Sequence, residues 1–261
     1  MVMTRRAFTL VETVVAVAVC ATLMAILLPG LRAAAGGART AACTSNLRQL
    51  ATAAHAYAAS NDGAMPAAVL YELDAGTIRT RAWDFVRVGG EVRPGPLWSY
   101  ADVPLAVQQC PAYEGPPTGS DPYTGYNYNT SVIGHEGTLP HAGEDGAMRA
   151  GWQAARMGTP IIAIRDHASC ALFGDGGWRG GANKFMRAPS GAAEGDLAVA
   201  CAGTQAFRHL GACTCVACLD GSVRVDAGPR RGLATPALAD GVMGFPRNGF
   251  LSDDDSRYGG P

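Results

Sequence analysis

The sequence predicts an α+β protein, a long N-terminal α-helix packed on a small antiparallel β-sheet head with long loops. Three observations carry that expectation. An apolar run from Thr13 to Leu31 leads into an Ala-rich stretch with apolar residues at helical spacing. Beyond Pro66 the apolar runs become short and are bounded by Gly, Pro, Asp and Asn, as in short strands joined by turns. Finally, 34 Gly and 16 Pro among 261 residues are too many for a helical bundle.

The helix is the first element. The uncharged run Thr13–Leu31 is long enough to cross a bilayer core, which takes ~20 residues at ~1.5 Å each. Arg5 and Arg6 on its N-terminal flank predict that this end stays in the cytoplasm and the rest lies outside. From Leu31 to about Ser60, Leu47, Leu50, Ala54 and Tyr57 form an amphipathic stripe. One helix from Phe8 to about Ser60 is therefore expected, its lower half spanning the membrane and its upper half packing on the head. Gly36-Gly37 costs it ~2 kcal/mol of propensity, which predicts a kink or a melted turn there. Asn61-Asp62-Gly63 supplies turn chemistry to end it. An ordinary signal peptide cut near Ala33, Ala34 and Ala35 is the competing reading. The acid Glu12 inside the apolar segment and the helical pattern beyond it argue against that.

In the head, Ile161–Ile164, Ala171–Phe173 and Val223–Val225 read as strands, and Asp175-Gly176-Gly177 and Asp220-Gly221 as turns. Residues 114–150 read as long surface loops.

A formal charge of -1 excludes a nucleic-acid binder held by bulk electrostatics. At 48% hydrophobic and 16% charged, the chain is not intrinsically disordered either. Eight cysteines suit an oxidising compartment.

The segment RRAFTLVE, Arg5 to Glu12, resembles the processing site of type IV prepilins and type II secretion pseudopilins. CTSNLRQL from Cys43 and YAASNDGAMP from Tyr57 extend the likeness to pseudopilin-like proteins of the planctomycete and verrucomicrobia type. Those carry a prepilin-type cleavage and methylation segment and a C-terminal processing-associated motif, a His, nine residues and Asp-Gly. Here His209 precedes Asp220-Gly221 with ten residues between. The resemblance implies a pilin-like fold, a leader of residues 1–7 cut between Ala7 and Phe8, and N-methylation of Phe8. Ala7 stands where the family usually has Gly. The resemblance further implies a membrane and filament-core helix over 8–31, its continuation over 32–60, and an extracytoplasmic head over 61–261. Glu12 matches the acid that, in the family, directs filament assembly. In a lipid-excluded core it would pair with the Phe8 amine of a neighbouring subunit. The implied partners are a prepilin peptidase, an inner-membrane assembly platform, other pilin-like subunits and membrane lipid.

The cysteines, His209 and the acidic run near the C-terminus are the remaining candidates for chemistry. Cys20 lies in the apolar helix. Cys43, Cys110, Cys170, Cys201, Cys213, Cys215 and Cys218 lie outside it, an odd number that cannot all pair within one chain. Cys43 with Cys110 is the candidate disulfide, tying the upper helix to the Cys-Pro-Ala-Tyr loop. Cys213, Cys215 and Cys218, with Cys201 and His209 near in sequence, are a weak zinc candidate, because along a strand the first two face away from the third. Asp253, Asp254 and Asp255 are a weak calcium candidate lacking a closing Glu. His209 with Asp220 as its orienting acid is a candidate base, outweighed by a structural role for both. No nucleophile elbow or phosphate loop is present, so the expectation is a non-enzymatic subunit without a cofactor. Two readings stay open beside it. One is a membrane-tethered binding module for a surface polymer or exported cargo; the other is a secreted metal- or thiol-dependent enzyme built on residues 201–221.

Overall fold

A computed structural model describes residues 9–74, 76–100, 109–114, 125–135, 141–149, 157–177, 184–190, 203–231 and 247–260. Its first element is a single α-helix, α1, Leu10–Ala59, of 50 residues and ~75 Å. Thr9 caps it through a capping box: its hydroxyl accepts from the Glu12 N–H while the Glu12 carboxylate accepts from the Thr9 N–H. At the other end Ser60 is the C-cap, and the Gly63 N–H, at φ 80°, donates back to the Ala58 carbonyl. The helix does not break at Gly36-Gly37. Each glycine is flanked by segments that are helical for their own reasons, so ~2 kcal/mol of propensity is too little to melt the turn. Thr40 also bonds back to the Gly36 carbonyl, and Leu210 of the head packs beside Gly36.

The two halves of α1 meet different surroundings. From Leu10 to Leu31 twelve large apolar side chains are exposed, Leu10 at 82% and Ile26 at 70%. In the upper half Cys43, Leu47, Leu50, Ala51, Ala53, Ala54 and Ala58 are buried, and Tyr57 packs against the same core. Burying each Leu there contributes ~1.5–3 kcal/mol.

The head follows as strands. β1 (Val69–Asp74), β2 (Thr77–Ala82), β3 (Phe85–Val88) and β4 (Glu91–Pro94) form an antiparallel four-stranded meander. A larger sheet contains β5 (Tyr126–Asn129), and β6 (His141–Ala142) pairs with β7 (Met148–Arg149) as a separate ribbon. The larger sheet is completed by β8 (Ala171–Gly177), β9 (Phe185–Met186), β10 (Thr204–Ala206), β11 (Cys213–Cys218), β12 (Val223–Ala227) and β13 (Asn248–Gly249). β8 is its centre: Gly174 pairs with Val216 of β11 and with Asn127 of β5, so these strands flank it. One pair, β5 with β9, is parallel.

Several local expectations are corrected. Asp175-Gly176-Gly177 is not a turn but the end of the fully buried strand β8. Its glycines permit close packing, since a Cβ at Gly177 would stand 2.8 Å from Asn248 Oδ1. Ile161–Ala163 is a 3₁₀ turn, not a strand. Residues 126–129, expected in a surface loop, are the buried strand β5, and Tyr128 stacks on Phe173 at 4.9 Å. Trp83 completes this aromatic core 5.2 Å from Phe173.

Lys184, the only lysine of the chain, is buried against Asp84 as an ion pair, 4.9 Å from the Phe85 ring centroid. Burial pushes the Asp84 carboxyl up and the Lys184 ammonium pulls it back only in part. Breaking a buried ion pair from one side is costly, so Asp84→Ala should destabilise by about 3–5 kcal/mol. Asp84→Leu with Lys184→Met should recover most of that loss, as read from chemical unfolding in detergent. Two glycines should respond in opposite ways in the same assay. Gly125 has φ 113°, and a Cβ there would stand 2.7 Å from the Cys110 nitrogen, so Gly125→Ala should cost about 1–3 kcal/mol. Gly37 has open space around it, so Gly37→Ala should stabilise by about 1 kcal/mol.

Candidate functional site

Where α1 meets the larger sheet, four polar side chains from distant parts of the chain converge: Cys43, Cys110, Asp175 and His209. All four are buried, and one donor atom from each lies within 4.8 Å of the others. Each is placed by its own local structure. Cys43 lies on the buried face of α1, one turn before Leu47. Cys110 opens a tight turn in which the Tyr113 N–H donates to its carbonyl at 2.9 Å, and Gly125 leaves room for its backbone. Asp175 sits in β8 at the sheet centre. His209 is held by a bridge to Cys213 across the turn Leu210-Gly211-Ala212, whose Gly211 and Ala212 have φ of 78° and 54°.

Asp175 is the hub. Its Oδ1 accepts from the Cys43 thiol at 3.3 Å. Its Oδ2 accepts from the Cys215 backbone N–H at 2.7 Å and lies 3.0 Å from His209 Nε2. His209 Nε2 also meets the Cys110 sulfur at 3.6 Å, while Nδ1 meets the Thr40 hydroxyl at 3.2 Å. Both ring nitrogens are therefore engaged, one in the cluster and one outside it.

These contacts set the charge states. Burial alone would raise Asp175, but the His209 hydrogen bond and the charges of Arg208 and His209 hold it below the usual carboxylate range. Burial alone would lower His209, but Asp175 and Cys110 push it up to about 9. The Cys43 thiol is raised by burial, and that of Cys110 by its hydrogen bond with Cys43 and by burial. The cluster is thus two neutral thiols beside an imidazolium–carboxylate pair. Raised thiols in a closed site make poor nucleophiles. As donors, two sulfurs, an imidazole and a carboxylate are the set that a borderline-soft metal takes.

The sequence-derived candidates fall unevenly. Cys43 and Cys110 do come together, but as free thiols and not as a disulfide; all seven cysteines among the described residues are free. Cys213, Cys215 and Cys218 do not converge. They lie along β11, with Cys213 partly exposed, Cys215 in the core under α1 and Cys218 at a register shift. His209 is oriented by Asp175, not by Asp220, whose carboxylate instead accepts from the Ser222 N–H in the turn at Gly221 (φ 84°). Two of the three acids of the 253–255 run have local duties. Asp254 caps a 3₁₀ turn through the Ser256 N–H, and Asp255 accepts from the Ser190 N–H. Glu12 is in the capping box of α1. Ala7, Phe8 and Cys201 lie outside the described residues.

Asp175 was missed because Asp-Gly-Gly reads as a turn. The available signal was its position directly after the apolar run Ala171–Phe173, where a continuing strand buries it.

No family model, curated protein or solved structure matches the chain.

Thr40→Val removes the one partner of His209 Nδ1 among the described residues and should cost about 1–3 kcal/mol. Cys213→Ser, off the cluster and partly exposed, should stay within about 0.5 kcal/mol of the parent. Urea unfolding in detergent, followed by near-ultraviolet circular dichroism, measures both.

Proposed function

We propose that the protein is a pseudopilin-like structural subunit, inserted in a membrane by the lower half of α1 and assembled into a filament through it. The observation that carries this reading is the division of one continuous helix. Its N-terminal part has a mean hydropathy of 2.5 over 18 residues, with none of that window buried. Twelve exposed large apolar residues would forgo about 20–35 kcal/mol of burial in water, so this surface calls for lipid or other helices.

Glu12 gains two successive uses in this reading. In the single subunit it caps the helix through Thr9. After removal of residues 1–7 the Phe8 amine becomes a cation, and Glu12 pairs with that of a neighbour in the filament core, setting axial register. The head then stands on the far side of the membrane from Arg5 and Arg6, in the periplasm or at the cell surface. A prepilin peptidase, an inner-membrane assembly platform and other pilin-like subunits are the partners, and the role is structural, not enzymatic.

Two substitutions separate the uses of Glu12. Glu12→Gln can keep the capping box but carries no charge, whereas Glu12→Ala loses both. Both variants should insert into membranes at the parent level, and both should reduce sedimentable filaments more than tenfold. Normal assembly of Glu12→Gln would remove the pairing role.

A further inference from the structure

We propose that Cys43, Cys110, Asp175 and His209 bind one zinc ion, and that this ion fastens the upper half of α1 to the head. The inference stands apart from the filament reading, since it concerns the head and the buried half of the helix alone.

The donor spacing fits a tetrahedral ion. Zinc–sulfur, zinc–nitrogen and zinc–oxygen bonds of about 2.3, 2.0 and 2.1 Å place sulfur and nitrogen about 3.5 Å apart, nitrogen and oxygen about 3.4 Å apart, and sulfur and oxygen about 3.6 Å apart. The structure has Cys110 Sγ and His209 Nε2 at 3.6 Å, His209 Nε2 and Asp175 Oδ2 at 3.0 Å, and Cys43 Sγ and Asp175 Oδ1 at 3.3 Å. One donor atom from each of the four residues lies within 4.8 Å of the others, and drawing them in by up to about an ångström would close a tetrahedral set.

The supporting groups match too. A zinc-bound imidazole is held by a hydrogen bond from its other nitrogen. Here Nδ1 meets Thr40 Oγ1, whose own hydrogen goes to the Gly36 carbonyl, so that Nδ1–H would donate to it and leave Nε2 for the metal. The Cys215 N–H orients Asp175. Two thiolates and a carboxylate around a divalent ion leave one net negative charge, and Arg208 lies beside it. The Arg208 guanidinium also donates to the carbonyls of Gly125 and Gly176, next to two of the ligand-bearing segments. Binding releases the protons of both thiols and of His209 Nε2 to solvent; no redox step occurs. A surface groove between Arg39, Glu114, Arg208 and Arg247 reaches His209 and gives a route for the ion.

The donor chemistry selects the metal. Calcium and magnesium need six or more oxygens, iron–sulfur clusters need more thiolates, and copper(I) has no use for a carboxylate. Four protein donors, all buried, leave no open position for substrate, so the site is structural.

The test uses the full chain purified in detergent without chelator. Elemental analysis should find one zinc per chain, with more than tenfold less in Cys110→Ser and in Asp175→Asn. The double variant Cys213→Ser with Cys218→Ser should keep the parent content. Should the ligand variants fail to fold, the parent protein decides. Replacement of zinc by cobalt(II) should give the visible bands of a tetrahedral ion together with thiolate-to-cobalt charge transfer. Cys43 and Cys110 should then resist alkylation until a chelator is added. A Cys43–Cys110 disulfide in the native protein would overturn the proposal. So would a parent chain that takes up neither metal, or a cobalt spectrum without thiolate bands.

Discussion

The head and the helix are joined through one carboxylate. Asp175 stands at the centre of the larger sheet, and its oxygens accept from a thiol on α1 and a backbone N–H on β11 while meeting the imidazole of the turn before that strand. A buried carboxylate is costly unless every lone pair is used. Here its use dictates where three other segments lie. Leu47, Leu50 and Ala54 then fall on the sheet as α1 continues, and the aromatic stack of Trp83, Tyr128 and Phe173 lies in the same core. Apolar burial supplies most of the energy, and the polar cluster fixes the register in which it is gained.

That junction divides one helix into a half buried on the head and an exposed half long and apolar enough to cross a membrane. Fixed over its upper half, α1 projects the segment from Leu10 to Leu31 away from the head with no contact that would hide it. Neither half is set apart by a break in the helix, which continues through Pro29, where one N–H donor is missing, and through Gly36-Gly37. The division lies in the side chains: large and aliphatic below, small and alternating with Leu above. In the proposed subunit, membrane insertion and filament packing are uses of the same exposed face. A rigid junction with the head would transmit the helix position to the outer surface of the assembly.

The sequence made the helix legible because length and periodicity are long-range, redundant signals. Leu47, Leu50 and Ala54 point to the buried face whatever the detail around them. The sheet was legible only in kind. Val223–Val225 seeded β12, but Ile161–Ile164 has the same apolar character and forms a 3₁₀ turn, because short runs do not encode their partners. The site was half legible. Cys43 and Cys110 read as neighbours and do lie together, here as two free thiols beside Asp175 and His209, since sequence alone cannot tell a disulfide from two thiols sharing a third donor. His209 was singled out with the wrong acid: Asp220 is nearer in the chain, whereas Asp175 is nearer in space through the β8–β11 pairing. Such pairings carry no local mark.

In the proposed subunit, α1 begins as a membrane anchor and ends as a filament element. The most direct measurement is the intact mass of the protein from its own membranes, with mapping of the N-terminal peptide. The proposed processing leaves a mature chain that begins at a methylated Phe8, lacking residues 1–7. A chain that keeps Arg5 and Arg6, or one that begins near Gly36, would contradict it.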